Sequence, residues 1–244
     1  MDLGRVYASA DEVTLMLINA IRSEILAKEN KLPPEIELAQ RLGVSRNAIR
    51  ESLARLEREG LVTRKQGIGT LINRHVFLAE TRLDLNLELI PTLERIGKKA
   101  ETSFIHIMQI KALGEIAEKL QMKPGDDLIS VERLICADGS PAIFCIDYIP
   151  AGELNVKDLK GDDFQPSIYA FLKKHRRGEV SMNLTEVRAV PAEGKIAGSL
   201  WIAEGTPLLC LSEVGYDLME APILCSEEYL MDRVIHHVIF RKKI

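Results

Sequence analysis

Eight basic side chains fall within residues 40–75 (Arg41, Arg46, Arg50, Arg55, Arg58, Arg64, Lys65 and Arg74), against three acidic ones (Glu51, Glu57 and Glu59). Guanidinium and ammonium groups gathered in this way neutralise phosphates and release their counterions, which is the chemistry of polyanion binding. Arg46 and Arg50 are four residues apart, so a helix would present them on one face. An arginine fork there reaches phosphate oxygens or the O6 and N7 atoms of guanine. Ser45 precedes them in N-cap position, where its hydroxyl and the free N–H groups of a helix start also suit phosphate. The rest of the chain has the opposite balance. Residues 1–75 carry a net charge of +2 and residues 76–244 a net of −6, giving the overall −4. A solvated helix surface is the alternative reading of this charge count, and position has to decide between the two.

A second candidate lies in residues 128–136. Strand alternation puts Ile129, Val131, Arg133 and Ile135 on one face. An arginine on an otherwise apolar face must pair, line a polar pocket, or snorkel to the sheet edge, because burying it alone is costly. Other site chemistries find no support in the spacing. The four cysteines (Cys136, Cys145, Cys210 and Cys225) form no Cys-x-x-Cys pair and read as buried thiols of a reducing cytoplasm. The five histidines have no ligand spacing, so neither a metal nor a cofactor is expected. No Ser/His/Asp, Cys/His or paired-carboxylate arrangement argues for an enzyme. At 244 residues, 46% hydrophobic and 28% charged, the chain can fill a core, and it contains no apolar run of membrane-spanning length.

The elements that would position these residues follow from periodicity and caps. Val13, Leu17, Ile21 and Ile25 form one stripe of a helix over 10–28, capped by Ser9 or Asp11. Leu32-Pro33-Pro34 interrupts the chain, and Glu35 opens a short helix to Leu42. Gly43-Val44 turns, Ser45 caps a third helix to Glu59, and Gly60 supplies its left-handed stop. Ile49, Leu53 and Leu56 face inward, away from Arg46, Asn47 and Arg50. Residues 61–63 and 71–73 read as a hairpin whose basic, glycine-rich tip, 64–70, brings Lys65 and Gln66 to a nucleic-acid backbone or minor groove. Two short helices joined by a tight turn place the second in a major groove, N-terminus first. A helical hairpin for protein contacts is the competing use of such a pattern.

Beyond a short helix at 91–96, the period changes to two. Strands are expected at 104–111, 128–136, 141–149, 181–190, 208–216, 223–230 and 234–240, and helices at 112–120, 167–174 and 192–199. Asp138-Gly139 marks a hairpin between the second and third strands. The fold class is therefore α+β, an antiparallel sheet with interspersed helices following a helical N-terminal domain. The expected domains are 1–75 and 91–244, joined by a linker over 76–90.

Several segments carry a family resemblance. Leu32-Pro33-Pro34-Glu35-Ile36-Glu37-Leu38-Ala39, Gly43-Val44-Ser45-Arg46-Asn47-Ala48-Ile49-Arg50-Glu51-Ser52-Leu53, Leu56-Glu57-Arg58-Glu59-Gly60-Leu61-Val62 and Gly67-Ile68-Gly69-Thr70 resemble the winged helix-turn-helix of GntR-type bacterial transcription regulators. The resemblance implies that Arg46 and Arg50 make the main DNA contacts. Ser45 and Asn47 would stand beside them, with Glu35 on the second helix and Lys65, Gln66, Gly69 and Thr70 in the wing. Many members carry arginine where this chain has Ile36, and the usual glycine before Leu-Pro is replaced here by Lys28-Glu29-Asn30.

Further on, Val131-Glu132-Arg133-Leu134 leading into Ala137-Asp138-Gly139-Ser140-Pro141-Ala142 resembles the UTRA effector domain of the HutC-like branch. Pro166-Ser167-Ile168-Tyr169 and Ser226-Glu227-Glu228-Tyr229-Leu230-Met231-Asp232-Arg233 do so too. This implies a chorismate lyase-like fold and a small-molecule effector such as a phosphosugar, sugar or imidazole acid. Many sugar-phosphate binders of the family have Arg-x-Arg where this strand has Arg133 and Ile135, so a carboxylate or neutral metabolite is expected instead. Arg133 would be its anion clamp, Ser167 a donor, and Glu228 or Tyr229 the rest of the polar set, beside the apolar Ile135. The function implied is a cytoplasmic, homodimeric, metabolite-responsive regulator, by family habit a repressor, on a palindromic double-stranded DNA operator. The alternatives are a DNA-binding dimer with a vestigial pocket, or a chorismate lyase-like enzyme.

Overall fold

The computed structural model describes residues 10–22, 30–79, 81–85, 88–175 and 177–241. The Ser9 cap, the Asp11 side chain, residues 23–28 of the first expected helix, and Lys28 and Glu29 lie outside what is described. The chain divides into two compact units, Met1–Glu80 with Phe240–Ile244, and Thr81–Ile239.

In the first unit, α1 (Ala10–Ala20), α2 (Glu35–Leu42) and α3 (Arg46–Arg58) close around Val13, Leu17, Ile21, Leu38, Ile49, Leu53 and Leu56, all buried. All of these but Leu38 are residues that helical spacing put on the inner stripes. Ser45 caps α3, its Oγ accepting from the Ala48 N–H at 3.1 Å. Strands β1 (Val62–Lys65) and β2 (Gly69–Ile72) form the wing. Arg64 pairs with Thr70 and Lys65 with Gly69, so the turn is only Gln66-Gly67-Ile68, shorter than the 64–70 tip expected. Residues 30–32 extend this ribbon, with Leu32 N–H donating to the Thr70 carbonyl and Ile72 N–H to the Asn30 carbonyl, both at 2.8 Å. A short α4 (Arg74–Phe77) adds Val76 and Phe77 to the core, and Phe240 packs against it.

The second unit is a six-stranded antiparallel sheet in the order β3-β4-β5-β8-β7-β6. Its strands are β3 (Ala100–Lys111), β4 (Asp127–Ala137), β5 (Ser140–Pro150), β6 (Met182–Pro191), β7 (Pro207–Tyr216) and β8 (Pro222–Leu230). Helices α5 (Leu89–Arg95), α6 (Gly114–Lys119), α7 (Ile168–Lys174) and α8 (Gly194–Leu200) cover it. On one face Ile129, Ile135, Cys145 and Leu230 pack with α5 and α7. On the other, Leu128, Phe144, Cys210 and Tyr229 pack with α6 and α8. All four cysteines are free and buried. The strand expected at 234–240 is absent from the sheet. After β8 the N–H groups of Val234 and Ile235 fold back on the Met231 carbonyl. This turn drops Ile235 into the core and leaves only an isolated parallel bridge between Val238 and Arg82.

The sheet is built twice. Gln109 pairs with Ile129 and Lys111 with Asp127 in β3–β4; Ala189 pairs with Leu209 and Pro191 with Pro207 in β6–β7. Each position of the second pair lies eighty residues after its counterpart. The connections repeat as well. Ala112-Leu113-Gly114-Glu115-Ile116-Ala117 corresponds to Ala192-Glu193-Gly194-Lys195-Ile196-Ala197. Gly125 N–H donates to the Ala112 carbonyl at 2.9 Å, as Gly205 N–H does to that of Ala192 at 2.8 Å. The strand order reads as the same three-strand half on either side of the β5–β8 seam. Gly125 and Gly205 have φ of +94° and +79°, and an added Cβ meets nothing within 4 Å at either. The cost of a side chain there is therefore conformational alone. We predict that Gly125→Ala and Gly205→Ala each destabilise by about 1–2 kcal/mol and by matching amounts, measured by urea unfolding. A large difference between them would contradict the equivalence of the halves.

Candidate nucleic-acid interface and ligand cavity

The first two turns of α3 present Arg46, Asn47 and Arg50 to solvent. Glu35, at the start of α2, lies between the two arginines. Its Oε2 is 3.4 Å from Arg46 Nε and 3.4 Å from Arg50 Nε and Nη2. The two arginine side chains are more than half exposed, at 56% and 53%. Pairs this long and this wet contribute at most about 1 kcal/mol, so a phosphate or base edge can displace them. Glu35 therefore orients both forks without fixing them. Arg64 joins the wing to this helix, donating from Nη2 to the Arg50 carbonyl at 3.0 Å while its N–H meets Glu57 Oε1 at 2.9 Å. Lys65 and Gln66 are exposed at the wing turn, whereas Thr70 is half-buried and its carbonyl is taken by Leu32. Gly69 has φ of +111°, and a Cβ there would come within 2.8 Å of Lys31 Cε. Lys31, which sequence reasoning left out, adds a basic side chain beside the wing.

The second unit contains a cavity of about 300 Å³. Of the residues expected around an effector, Arg133, Ile135, Ser167 and Glu228 line it. Tyr229 does not. Neighbouring residues of a strand point to opposite faces, and Tyr229 packs with Phe144 and Cys210 on the far side, donating to Glu227 Oε2 at 2.6 Å. Ser167 is also committed. Its Oγ accepts from Ala170 N–H at 3.2 Å, capping α7, and donates to Glu88 Oε1 at 3.0 Å.

Arg133 is only 4% exposed. Its Nε and Nη2 donate to Asp147 Oδ2 at 2.9 and 2.8 Å, and Asp147 Oδ1 accepts from Ser226 Oγ at 2.7 Å. Burial alone would disfavour the guanidinium charge, but the Asp147 carboxylate more than offsets it and holds Arg133 firmly protonated. Arg133 thus lines the cavity with its charge already balanced, one of the outcomes that strand alternation allowed, and not as the free anion clamp that the family resemblance implied.

Two further carboxyls define the site. Glu213 accepts from Thr185 Oγ1 at 2.6 Å and from Asn183 Nδ2 at 2.9 Å. Glu228 has no hydrogen-bond partner among the described residues. Burial, then repulsion from Glu213 and Asp147, raises its pKa well above the ordinary glutamate value, with Arg133 only partly opposing. Burial likewise raises Glu213, against the Thr185 bond.

The fold and the two sites define a DNA-binding protein whose second unit contains a polar cavity. The chain belongs to the GntR family of bacterial regulatory proteins, matched by residues 9–72, and carries a UTRA domain, matched by residues 95–232. It is 28% identical over 206 residues to the HTH-type transcriptional regulator GgaR of Escherichia coli strain K12, covering 84% of this chain and 79% of that protein. It is 26% identical over 208 residues to the HTH-type transcriptional repressor NagR of Bacillus subtilis, covering 84% and 83%. YydK of B. subtilis shares the fold at a TM-score of 0.77 and 18% identity, over 96% of this chain and 99% of that one. PhnF of Mycobacterium smegmatis does so at 0.60 and 19%. The chain is a GntR-type helix-turn-helix regulator, and its relatives are regulators of transcription rather than enzymes. Among the described residues no helix is long and apolar enough to cross a membrane. Nor, among them, do three or more His, Cys, Asp or Glu side chains gather to hold a metal.

The two halves of the polar cluster predict opposite responses to substitution. Arg133→Ala strands the buried Asp147 and should cost about 3–5 kcal/mol in urea unfolding; a cost below 1 kcal/mol would mean the pair is not formed. For Glu228 the sign runs the other way. Its pKa is raised on folding, so between the unfolded and folded values the native state binds the extra proton, and stability falls as pH rises through that window. The groups facing it are Glu213, Asp147, Arg133 and Cys145, whose burial keeps it a neutral thiol. We predict that Glu228→Gln melts above wild type at pH 8 and that the gain shrinks toward pH 4. An unchanged or lower melting temperature at pH 8 would contradict this.

Proposed function

We propose that this protein is a cytoplasmic, homodimeric repressor that binds a palindromic operator through α3 and the wing and releases it when a small molecule fills the cavity of the UTRA unit. The carrying observation is the N-terminal part of α3, where Arg46 and Arg50 stand exposed beside Ser45 and Asn47, held by an exchangeable carboxylate. Two such helices on a dyad would read half-sites about 34 Å apart, or a multiple of that. Lys65, Gln66 and Gly69 of the wing, with Lys31 beside it, supply contacts to the sugar–phosphate backbone, which position the recognition helix without reading sequence. The reading is supported by family membership and by a cavity that offers Glu228 without a hydrogen-bond partner among the described residues. A coupling of about 1–3 kcal/mol, or 5- to 150-fold in operator affinity, is typical of such regulation.

Fluorescence anisotropy against the DNA upstream of the protein's own gene, in a salt series, tests the interface. Wild type should bind in the presence of competitor DNA, with log K falling linearly in log salt. Arg50→Ala should weaken specific binding about 10- to 100-fold, the value of a lost bidentate base contact. If a genome-wide selection recovers no bound sequence, or if Arg50→Ala binds as wild type does, the interface is wrong.

A further inference from the structure

The internal duplication sets the two polar pairs of the cavity in equivalent places. In the first half Arg133 stands opposite Cys145, and its partner Asp147 lies two residues further along β5. In the second half Glu213, the eighty-residue counterpart of Arg133, stands opposite Ser226, and Glu228 lies two residues further along β8. The diagonal that joins a cation to a carboxylate in one half therefore joins two carboxyls in the other.

Among the described residues no cation of the unit answers this second diagonal with a hydrogen bond or ion pair. Arg133 spends two donors on Asp147. Arg82 is ion-paired with Asp84 at the cavity edge. Glu88 brings one more carboxylate, occupied by Ser167. His237, which also lines the cavity, is kept neutral by burial. Acceptors exceed donors further at Asn183, whose Oδ1 is buried without a partner. Glu228 itself lines the cavity with all its acceptor sites open, and an ionised carboxylate offers about four. A ligand with a phosphate or carboxylate would meet like charge wherever these carboxyls are ionised and would raise their cost of ionisation further, whereas a cation would stabilise the ionised pair. A ligand with a cationic N–H donor would complete the second diagonal as Arg133 completes the first.

We propose that the effector of this cavity carries a protonated amine, which donates to Glu228 and to the remaining lone pairs of Glu213. This rests on the reading that the UTRA unit binds an effector, and it replaces the anionic or neutral ligand expected from the strand pattern. Charge-assisted bonds of this kind distinguish an amine from its alcohol by roughly 10-fold or more in affinity.

The test uses the full chain and matched probes in a thermal-shift titration, because saturable binding raises the melting temperature in proportion to RT ln(1 + [L]/Kd). One set is 1,4-diaminobutane, 1,4-butanediol and succinate; the other is glucosamine, glucose and glucose 6-phosphate. The amine of at least one set should stabilise wild type at roughly 10-fold lower concentration than its neutral counterpart, and that advantage should vanish in Glu228→Gln and in Glu213→Gln. Two variants are used so that misfolding of one leaves the other to decide. If the anionic members stabilise wild type more than the amines do, the amine assignment is wrong while the cavity remains a ligand site. If an amine advantage persists in both variants, the amine binds elsewhere and the assignment fails. If none of the probes shifts wild type, the amine assignment is rejected and the ligand-binding reading of the unit loses its support with it.

Discussion

The second unit depends on one buried ion pair. Arg133 sits in the middle of a six-stranded sheet with almost no access to water, and it can remain there charged only because Asp147 and, behind it, Ser226 complete its shell. The same chemistry in the first unit has the opposite consequence. Glu35 meets Arg46 and Arg50 at longer range and in water, so those pairs orient the arginines and yield to a competitor. Burial decides whether an arginine belongs to the framework or to a partner. By that criterion Arg46 and Arg50 are available to a partner, and Arg133 belongs to the protein.

Doubling a three-stranded half explains how a polar cavity arises in an otherwise apolar face. Two apolar clusters, one around Leu93 and Ile135 and the other around Phe164 and Phe171, each draw residues from both sides of the seam between β5 and β8. Between these clusters the equivalent positions Arg133 and Glu213 diverged in charge. Divergence on one diagonal left a neutral pair, and on the other it left two carboxyls that raise each other's cost of ionisation. A site that is incomplete in the free protein in this way is less stable than it could be, as sites that hold ligands commonly are.

Much of this was legible in the sequence, for identifiable reasons. The Ser45 cap, the Ile49–Leu53–Leu56 stripe and the Asp138-Gly139 turn, with φ of +51° and +78°, are local signals, and each held. What escaped depends on register. A two-residue turn pairing Ala137 with Ser140 would set Arg133 opposite Phe144, and Asp147 would then fall on the other face. A bulge between Ile135 and Cys136 shifts the register by one and brings Cys145 and Asp147 to the face of Arg133. Alternation cannot show a bulge. The strand expected at 234–240 failed because Met231-Asp232-Arg233 turns the chain rather than returning it, and Tyr229 was paired with Glu228 against the parity of its own strand. Glu213 had a signal: the Ala-x-Gly-x-Ile-Ala repeat at 112–117 and 192–197 places it as the counterpart of Arg133.

The second half of the cavity holds two carboxyls with no cation between them among the described residues, and carboxyl titration tests this most directly. With ¹³C-labelled glutamate in the full chain, a pH series followed by NMR should show at least one side-chain carboxyl titrating well above the ordinary value of about 4.3, and that resonance should be missing from Glu228→Gln. If every glutamate titrates near the ordinary value, Glu228 has a partner or water that the account denies it, and the inference about the ligand falls with it.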